Sequence, residues 1–397
     1  MEYEKIESDL LYIKSKDGLV IKSWCRNPEE GAIQQALNIA HLPFAFHHIA
    51  LAPDSHQGFG MPIGGILATK NIIVVSAVGV DIGCGMIATQ TSIKVDEFED
   101  FNRNKILNNI RKAIPVGFHH HEKPQAYWPD IWPNGLNEGV VSLEAESAMH
   151  QLGTLGSGNH FLEIQKGSDG HIWIMIHSGS RNLGKKVADY YNSEARELNA
   201  RYFSMVPKEW DLAFLPLDSD EGQEYIEEMN NCLIFAKANR KHMMDKSKEI
   251  FKEFVDVDFI QDIDIHHNYA TMENHFGSNV MVHRKGATSA KEGQLGIIPG
   301  SQGTASYIVR GKGNPESFKS CSHGAGRKMG RKEACRTLDF QAELNNLESK
   351  GIFHSLNSKE DLEEAPGAYK DIDIVMEEQK DLVEIVTRLE PLGVIKG

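Results

Sequence analysis

Cysteine is scarce in this chain. Five stand among 397 residues, at positions 25, 84, 232, 321 and 335, an odd number with no CxxC spacing. That argues against a disulfide framework and against a structural zinc knuckle. The start, Met1-Glu2-Tyr3-Glu4-Lys5, is acidic and lacks a basic-then-apolar pattern, so no secretory leader is expected. Long apolar runs are absent; the longest is interrupted by Ser76 and Gly79 and is far too short for a bilayer. Hydrophobic content of 41% and charged content of 25% are those of a soluble globular protein. The expectation is a cytoplasmic protein with no membrane partner. A net charge of −14 excludes a general nucleic-acid-coating role.

No internal repeat, low-complexity tract or linker divides the chain, and its length allows one large domain or two ordinary ones. Candidate site residues run from 54 to 396, which favours a single domain over 1–397 around one site. Strands and helices do not alternate regularly, so the fold class is α+β: mixed sheets with flanking helices around a central cleft. Helices are expected over Phe98–Ile114 (Phe98, Phe101, Ile106 and Ile110 forming its apolar face), Ser142–Leu152, Lys185–Tyr202, Gly222–Phe254 and Arg327–Asn346. Strands are expected over Asn71–Val78, Phe161–Gln165, His171–His177, Val280–His283, Ser306–Val309 and within Asp381–Lys396. Residues 115–137 read as loop. Charge is uneven. Eleven Lys and Arg against three acids between Met281 and Arg336 give a local +8, whereas acids concentrate in 209–228 and 339–384. A basic wall on an acidic body suits an anionic substrate held locally.

Gly79-Val80-Asp81-Ile82-Gly83-Cys84-Gly85-Met86 follows an apolar run. It sets a carboxylate and a thiol three residues apart, and glycine allows the turn that aims both at one ion. His160 (in Gly158-Asn159-His160-Phe161), His177 (in Ile176-His177-Ser178-Gly179) and His267 (in His266-His267-Asn268) lie at strand–turn junctions. Five ligands exceed what one tetrahedral ion takes. With a bridging thiolate they suit two ions a few ångströms apart, as in phosphoryl chemistry. Ligand softness alone points to zinc, iron or cobalt. His56, His266 and His283 are left unassigned, and His119-His120-His121 reads as an exposed loop cluster.

Ser322-His323-Gly324-Ala325-Gly326-Arg327 combines a histidine with small residues that bare backbone N–H groups as an anion nest, at the mouth of the expected 327–346 helix. Neutral imidazole can attack phosphate, making His323 a candidate nucleophile. Arg327, one helical turn on, would stabilise the developing charge. Pro299-Gly300-Ser301-Gln302-Gly303-Thr304 adds a second phosphate-type loop, and His283-Arg284-Lys285 adds positive charge. Gly179-Ser180-Arg181-Asn182-Leu183-Gly184-Lys185 matches GxxxxGK, but Lys186 stands where a P-loop needs Ser or Thr, so a true P-loop is rejected and phosphate binding by a basic glycine turn is the alternative.

Taken together, these motifs resemble the RtcB family of GTP-dependent RNA ligases. The resemblance runs from Pro53-Asp54-Ser55-His56-Gln57-Gly58 through GVDIGCGM, GSGNHFLE, HSGSRNLG, HHNYA, HRKGAT, PGSQGT and SHGAGR to Gly393-Val394-Ile395-Lys396-Gly397. It implies two Mn²⁺ ions on Asp81, Cys84, His160, His177 and His267, with Cys84 bridging, which overrides the softness argument. It implies that His323 carries GMP with Arg327 beside it, that Asn159, Glu163, Ser301 and Lys396 contact the nucleotide, and that Asp54 is an acid near the site.

The implied reaction joins RNA ending in a 3′-phosphate or 2′,3′-cyclic phosphate to a 5′-hydroxyl end, in tRNA splicing or RNA repair. Water opens a cyclic phosphate; His323 takes GMP from GTP and passes it to the 3′-phosphate; the 5′-hydroxyl attacks and expels GMP. An archease-type activator is an implied partner. Two other readings are a metal-dependent phosphoesterase that opens cyclic phosphates without joining, and a non-catalytic RNA-end-binding protein. The first has no need of His323, Arg327 or Lys396; the second has no need of five ligands.

Overall fold

A computed structural model describes residues 3–7, 10–98 and 100–397. Two seven-stranded sheets carry the chain. In the first, the order is Tyr3–Glu7, Leu11–Ser15, Ile21–Ser23, Ala45–Phe59, Met61–Thr69, Ser278–Lys285 and Asn268–His275. In the second it is Phe259–His266, Gly85–Lys94, His171–Ser178, Phe161–Gly167, Val383–Lys396, Ser306–Gly311 and Leu295–Ile298. Every pair in the second sheet whose register is defined is antiparallel. The fold is therefore α+β, as the irregular order of elements implied.

Antiparallel pairing decides where the site lies. When neighbouring strands run in opposite directions, the start of one lies beside the end of the next. Gly85 pairs with His266 and with Ser178, and Phe161 pairs with both His177 and Lys396. Cys84 precedes one strand, His160 precedes another, His177 closes a third and His267 follows a fourth. Residues distant in the chain are thus delivered to one rim of one sheet, with Lys396 on the same rim.

The 35-residue helix Asp220–Phe254 buttresses that rim. Ser219 Oγ accepts from Gly222 N at 3.1 Å, and Asp220 and Glu221 occupy the first turn. Such a cap contributes about 1 kcal/mol. Tyr225, Met229, Cys232, Ala236 and Met243 are buried at the three-to-four spacing of one face. Gly83 (φ +79°) packs on this helix; a Cβ there would sit 3.0 Å from Ala236 Cβ and 3.1 Å from Cys232 O.

The other expected elements are present with shifted ends: helices at Val140–Gln151 and Asn182–Arg201, strands at Ser278–Lys285 and Val383–Lys396. The helix expected from Phe98 starts at Asp100. Ile106 and Ile110 are buried, and the side chain of Phe101 lies outside the described residues. The expected Asn71–Val78 strand ends at Val74, whose N–H donates to His283 Nε2 (2.9 Å), and the chain then winds into a 3₁₀ turn at Val75–Ala77.

The largest departure is the expected Arg327–Asn346 helix. Gly326 carries φ +73°, Lys370 N donates to Gly326 O (2.9 Å), Lys328 N donates to Ala368 O (3.0 Å), and Arg327 bridges Tyr369. The bridge to Tyr369 holds Arg327 extended against the 366–370 segment, so the helix does not start there. Helices form instead at Arg331–Thr337 and Phe340–Ser349, the second capped by Asp339 Oδ1 accepting from Ala342 N (2.8 Å). His323 and Arg327 are consequently not related by a helical turn. Among the described residues no helix is long and apolar enough to cross a membrane.

Candidate active site

The sequence-predicted ligands converge. Cys84 Sγ lies 3.4 Å from His160 Nε2 and 3.2 Å from His177 Nε2, and the ligand atoms of these three buried residues all fall within 4.8 Å of one another. His267 Nε2 is 3.0 Å from His177 Nε2, and Asp81 Oδ2 is 3.4 Å from His160 Nε2. A carbonyl oxygen only accepts, so the bonds from His160 Nδ1 to Leu155 O (2.9 Å) and from His177 Nδ1 to Asn159 O (3.0 Å) put the protons on Nδ1. Both Nε2 lone pairs then face the sulfur. Burial holds His177 and His267 well below the usual imidazole range, which keeps them neutral. Burial, reinforced by Asp81, pushes the Cys84 thiol well up in the protein alone; a bound cation reverses that. His267 Nδ1 has no hydrogen-bond partner although buried. A thiol, three imidazoles and a carboxylate gathered this closely are the donor set of a metal-binding site.

Two residues not singled out as site residues from the sequence hold the loops in register. Asn268 donates to Asp81 O (3.0 Å) and accepts from Gly286 N (2.8 Å), and its carbonyl accepts from Gly83 N (2.9 Å). Arg240, fully buried on the long helix, donates to Gly83 O and Ser178 O (3.1 Å each) and to Asp264 Oδ1 (2.6 Å). These carbonyls adjoin Cys84 and His177. Arg240→Lys, keeping charge but losing the fork, is expected to weaken metal affinity about 10-fold. Calorimetric titration of the folded variant checks this; wild-type affinity would remove Arg240 from the support of the site.

Next to the cluster lies a cavity of about 680 Å³. Its wall includes Asn159, Glu163, Ser301, His323, Arg327 and Lys396, together with His177. All the residues expected at the nucleotide and at the nucleophile therefore face one space. His323 arrives on the strand Ser320–Ser322, and its ring centroid is 4.8 Å from that of His267. The nest around it does bind an anion, and that anion is Asp54. The fully buried Asp54 Oδ2 accepts from His323 N (3.1 Å), Gly324 N (3.3 Å) and His323 Nδ1 (2.6 Å). Burial pushes the Asp54 carboxyl up, but His323 more than offsets this and keeps it ionised. The chain passes so close to Asp54 that a Cβ on Gly326 would stand 2.2 Å from its carbonyl oxygen.

Arg327 is placed by ion pairing. Glu364, almost wholly buried, meets Arg327 Nη1 (3.1 Å), Arg331 Nε (3.2 Å) and Lys396 Nζ (3.0 Å), and accepts from the Tyr369 hydroxyl. Burial raises its pKa, yet Lys396, Tyr369 and the two arginines bring it down to about 2. Its place within the acid-rich 339–384 stretch concealed it in the sequence. His283-Arg284-Lys285, expected to add charge to the wall, turns inward: Arg284 pairs with Glu273 (2.9 Å) and Lys285 Nζ donates to Phe59 O and Ser76 O. In the GxxxxGK stretch, Lys185 pairs with Asp189 on its own helix. His266 and His283 spend ring nitrogens on backbone groups, whereas His56 lines the cavity.

Glu163 is the anomaly in this wall. Burial raises its pKa to about 8 despite Lys396 and Gln165. The unfolded value is about 4.3. Between the two the folded chain holds a proton that the unfolded chain does not, so this group makes stability fall as pH rises through that window. Glu163→Gln is expected to melt higher than wild type at pH 9 by about 2 °C, with the gap closing at pH 5. A gap independent of pH would refute the assignment.

The profile described as "tRNA-splicing ligase RtcB" matches residues 35–131 and 133–397. The chain belongs to the RtcB family. It is similar to the "RNA-splicing ligase RtcB" of Escherichia coli strain K12, with 36% identity over 95% of this chain and 97% of that one. The "tRNA-splicing ligase RtcB" of Thermococcus kodakarensis is 32% identical over 93% and 92%, and the "RNA-splicing ligase RtcB" of Mycobacterium tuberculosis 31% over 91% and 100%. RtcB relatives from bacteria and archaea thus align with this chain nearly end to end.

Proposed function

We propose that this RtcB-family enzyme is an RNA ligase, acting in tRNA splicing or RNA repair, that joins 3′-phosphate or 2′,3′-cyclic phosphate ends to 5′-hydroxyl ends, with GTP as the source of activation and Mn²⁺ as the metal. The observation that carries the reading is the bond from His323 Nδ1 to Asp54, which leaves Nε2 with a free lone pair in the cavity shared with Arg327 and Lys396. His323 Nε2 attacks the α-phosphorus of GTP; an N–P bond forms and the α–β bridging P–O bond breaks, releasing pyrophosphate. Asp54 orients the ring and stabilises the imidazolium-like charge. Arg327 and Lys396, held ready by Glu364, stabilise the negative oxygens. Asn159, Glu163 and Ser301 would contact the nucleotide from the wall of that cavity. The RNA 3′-phosphate then takes GMP from His323, and the 5′-hydroxyl displaces GMP to form the phosphodiester.

Asp81, Cys84, His160, His177 and His267 would hold two Mn²⁺ ions. When bound, the ions supply positive charge to the phosphate oxygens and a Lewis-acid partner for water. Buried free thiols such as Cys84 and Cys321 support a reducing, cytoplasmic setting, and family resemblance supports an archease-type activator. A phosphoesterase without joining has no use for the Asp54–His323 pair.

Incubation with Mn²⁺, GTP and two RNA fragments, one ending in a 3′-phosphate and one beginning with a 5′-hydroxyl, is the test. A joined product that requires GTP supports the proposal. Joining without nucleotide, or hydrolysis of the end alone, contradicts it.

A further inference from the structure

The segment after Ile114 is fixed to the wall of the site. Leu155 N donates to Pro115 O (2.9 Å), Val116 bridges Gly156, and Gly117 N donates to Gly156 O (2.8 Å). Arg181 ties it to the metal-candidate cluster: Nη2 donates to Gly117 O (3.4 Å), and Nη1 lies 3.4 Å from His160 Nδ1. One guanidinium therefore separates this loop from a candidate ligand. Beyond Gly117 (φ +66°) the chain turns, with His119 N donating to Val116 O (3.2 Å). The far side is anchored too. His121 N donates to His150 O (3.0 Å), His150 Nδ1 donates to His121 O (3.1 Å), and Gln125 N donates to Met149 O (3.0 Å).

At the crest of this pinned turn Phe118 is 91% exposed, with His119 and His120 exposed beside it. A phenyl ring left in water forgoes about 2 kcal/mol of burial. The turn is held on both sides, so the ring is presented and not merely left over by a loose loop. Unpaired RNA bases stack on aromatic and imidazole rings, and such stacking tolerates any sequence because every base has a π face.

We propose that Phe118, flanked by His119 and His120, is a stacking platform for an unpaired nucleobase of the RNA strand whose end reaches the cluster. It rests on the RNA-ligase reading for its ligand class. Arg181, half-buried beneath the turn, adds positive charge between the platform and the cluster. Burial, with Arg181, His150, His119 and His121 nearby, holds the His120 imidazole below the usual range, and Glu122 is the acid two residues on.

The test is fluorescence anisotropy with a labelled single-stranded RNA decamer ending in a 3′-phosphate. Wild type, Phe118→Ala and Phe118→Trp are compared, and protein labelling by GTP without RNA is followed in parallel. Phe118→Ala is expected to weaken RNA binding at least about 5-fold, and Phe118→Trp to restore it. Labelling should not change, since Phe118 takes no part in nucleotide transfer. An abasic site walked along the last four nucleotides should abolish the wild-type advantage at one position. Equal Kd values for wild type and Phe118→Ala, or an advantage indifferent to every abasic position, would overturn the platform. Absence of GTP labelling in wild type would strike the ligase reading alone, because anisotropy measures the platform without catalysis.

Discussion

His323→Ala is expected to lose transfer of GMP by more than about 10⁴-fold, the scale of removing a nucleophile. Opening of a 2′,3′-cyclic phosphate should stay near wild type. The division follows from the geometry. His323 is tied to Asp54 and is not one of the Cys84–His160–His177 cluster, its ring standing 4.8 Å from that of His267. Removing its imidazole leaves the sulfur and the facing Nε2 atoms where they are. High-resolution analysis of RNA ends after incubation separates the outcomes: a 3′-phosphate without joined product agrees with the assignment. Loss of both activities in a folded, metal-loaded variant would contradict it. Asp54→Asn should behave as a weaker copy of the same variant, because it removes the carboxylate that fixes the Nδ1 proton.

Cys84→Ala is expected to abolish both activities together with metal binding. The thiol lies between two imidazole nitrogens, at 3.4 and 3.2 Å, and its removal leaves no central ligand. Since loss of a supporting residue costs about 10–100-fold in metal affinity, loss of the central ligand should cost more than about 100-fold. Metal content after dialysis against Mn²⁺ gives a readout independent of turnover. A variant that retains metal and full activity would refute the bridging role. Chelation of the wild-type protein should give the same double loss, reversed on adding Mn²⁺.

The sequence made the ligand set legible for a physical reason. Cys84, His160, His177 and His267 each sit where an apolar strand meets a turn, with Asp81 in the turn before Cys84, and antiparallel pairing carries such junctions to one rim. The long helix was readable because Tyr225, Met229, Cys232 and Ala236 repeat at helical spacing and Ser219 caps it. The 327–346 region misled because its helical composition is overridden by partners some forty residues away: Gly326 and Lys328 pair with Lys370 and Ala368. Local propensity does not encode that competition. Glu364 was hidden in an acidic stretch whose other members gave no hint that one carboxylate gathers three cations. Arg284 and Lys285 read as a phosphate wall because charge is visible in sequence and the direction of a side chain is not. Asp54 was legible only through family resemblance; nothing in Pro53-Asp54-Ser55 announces that its carboxylate would fill the nest around His323.

The most direct test of the central claim is to incubate the protein with Mn²⁺ and α-labelled GTP, denature it, and follow the label. The account predicts label that survives denaturation, is lost in acid as a phosphoramidate should be, and is missing from His323→Ala. A folded, metal-loaded protein that takes no label, or one labelled equally without His323, would contradict it.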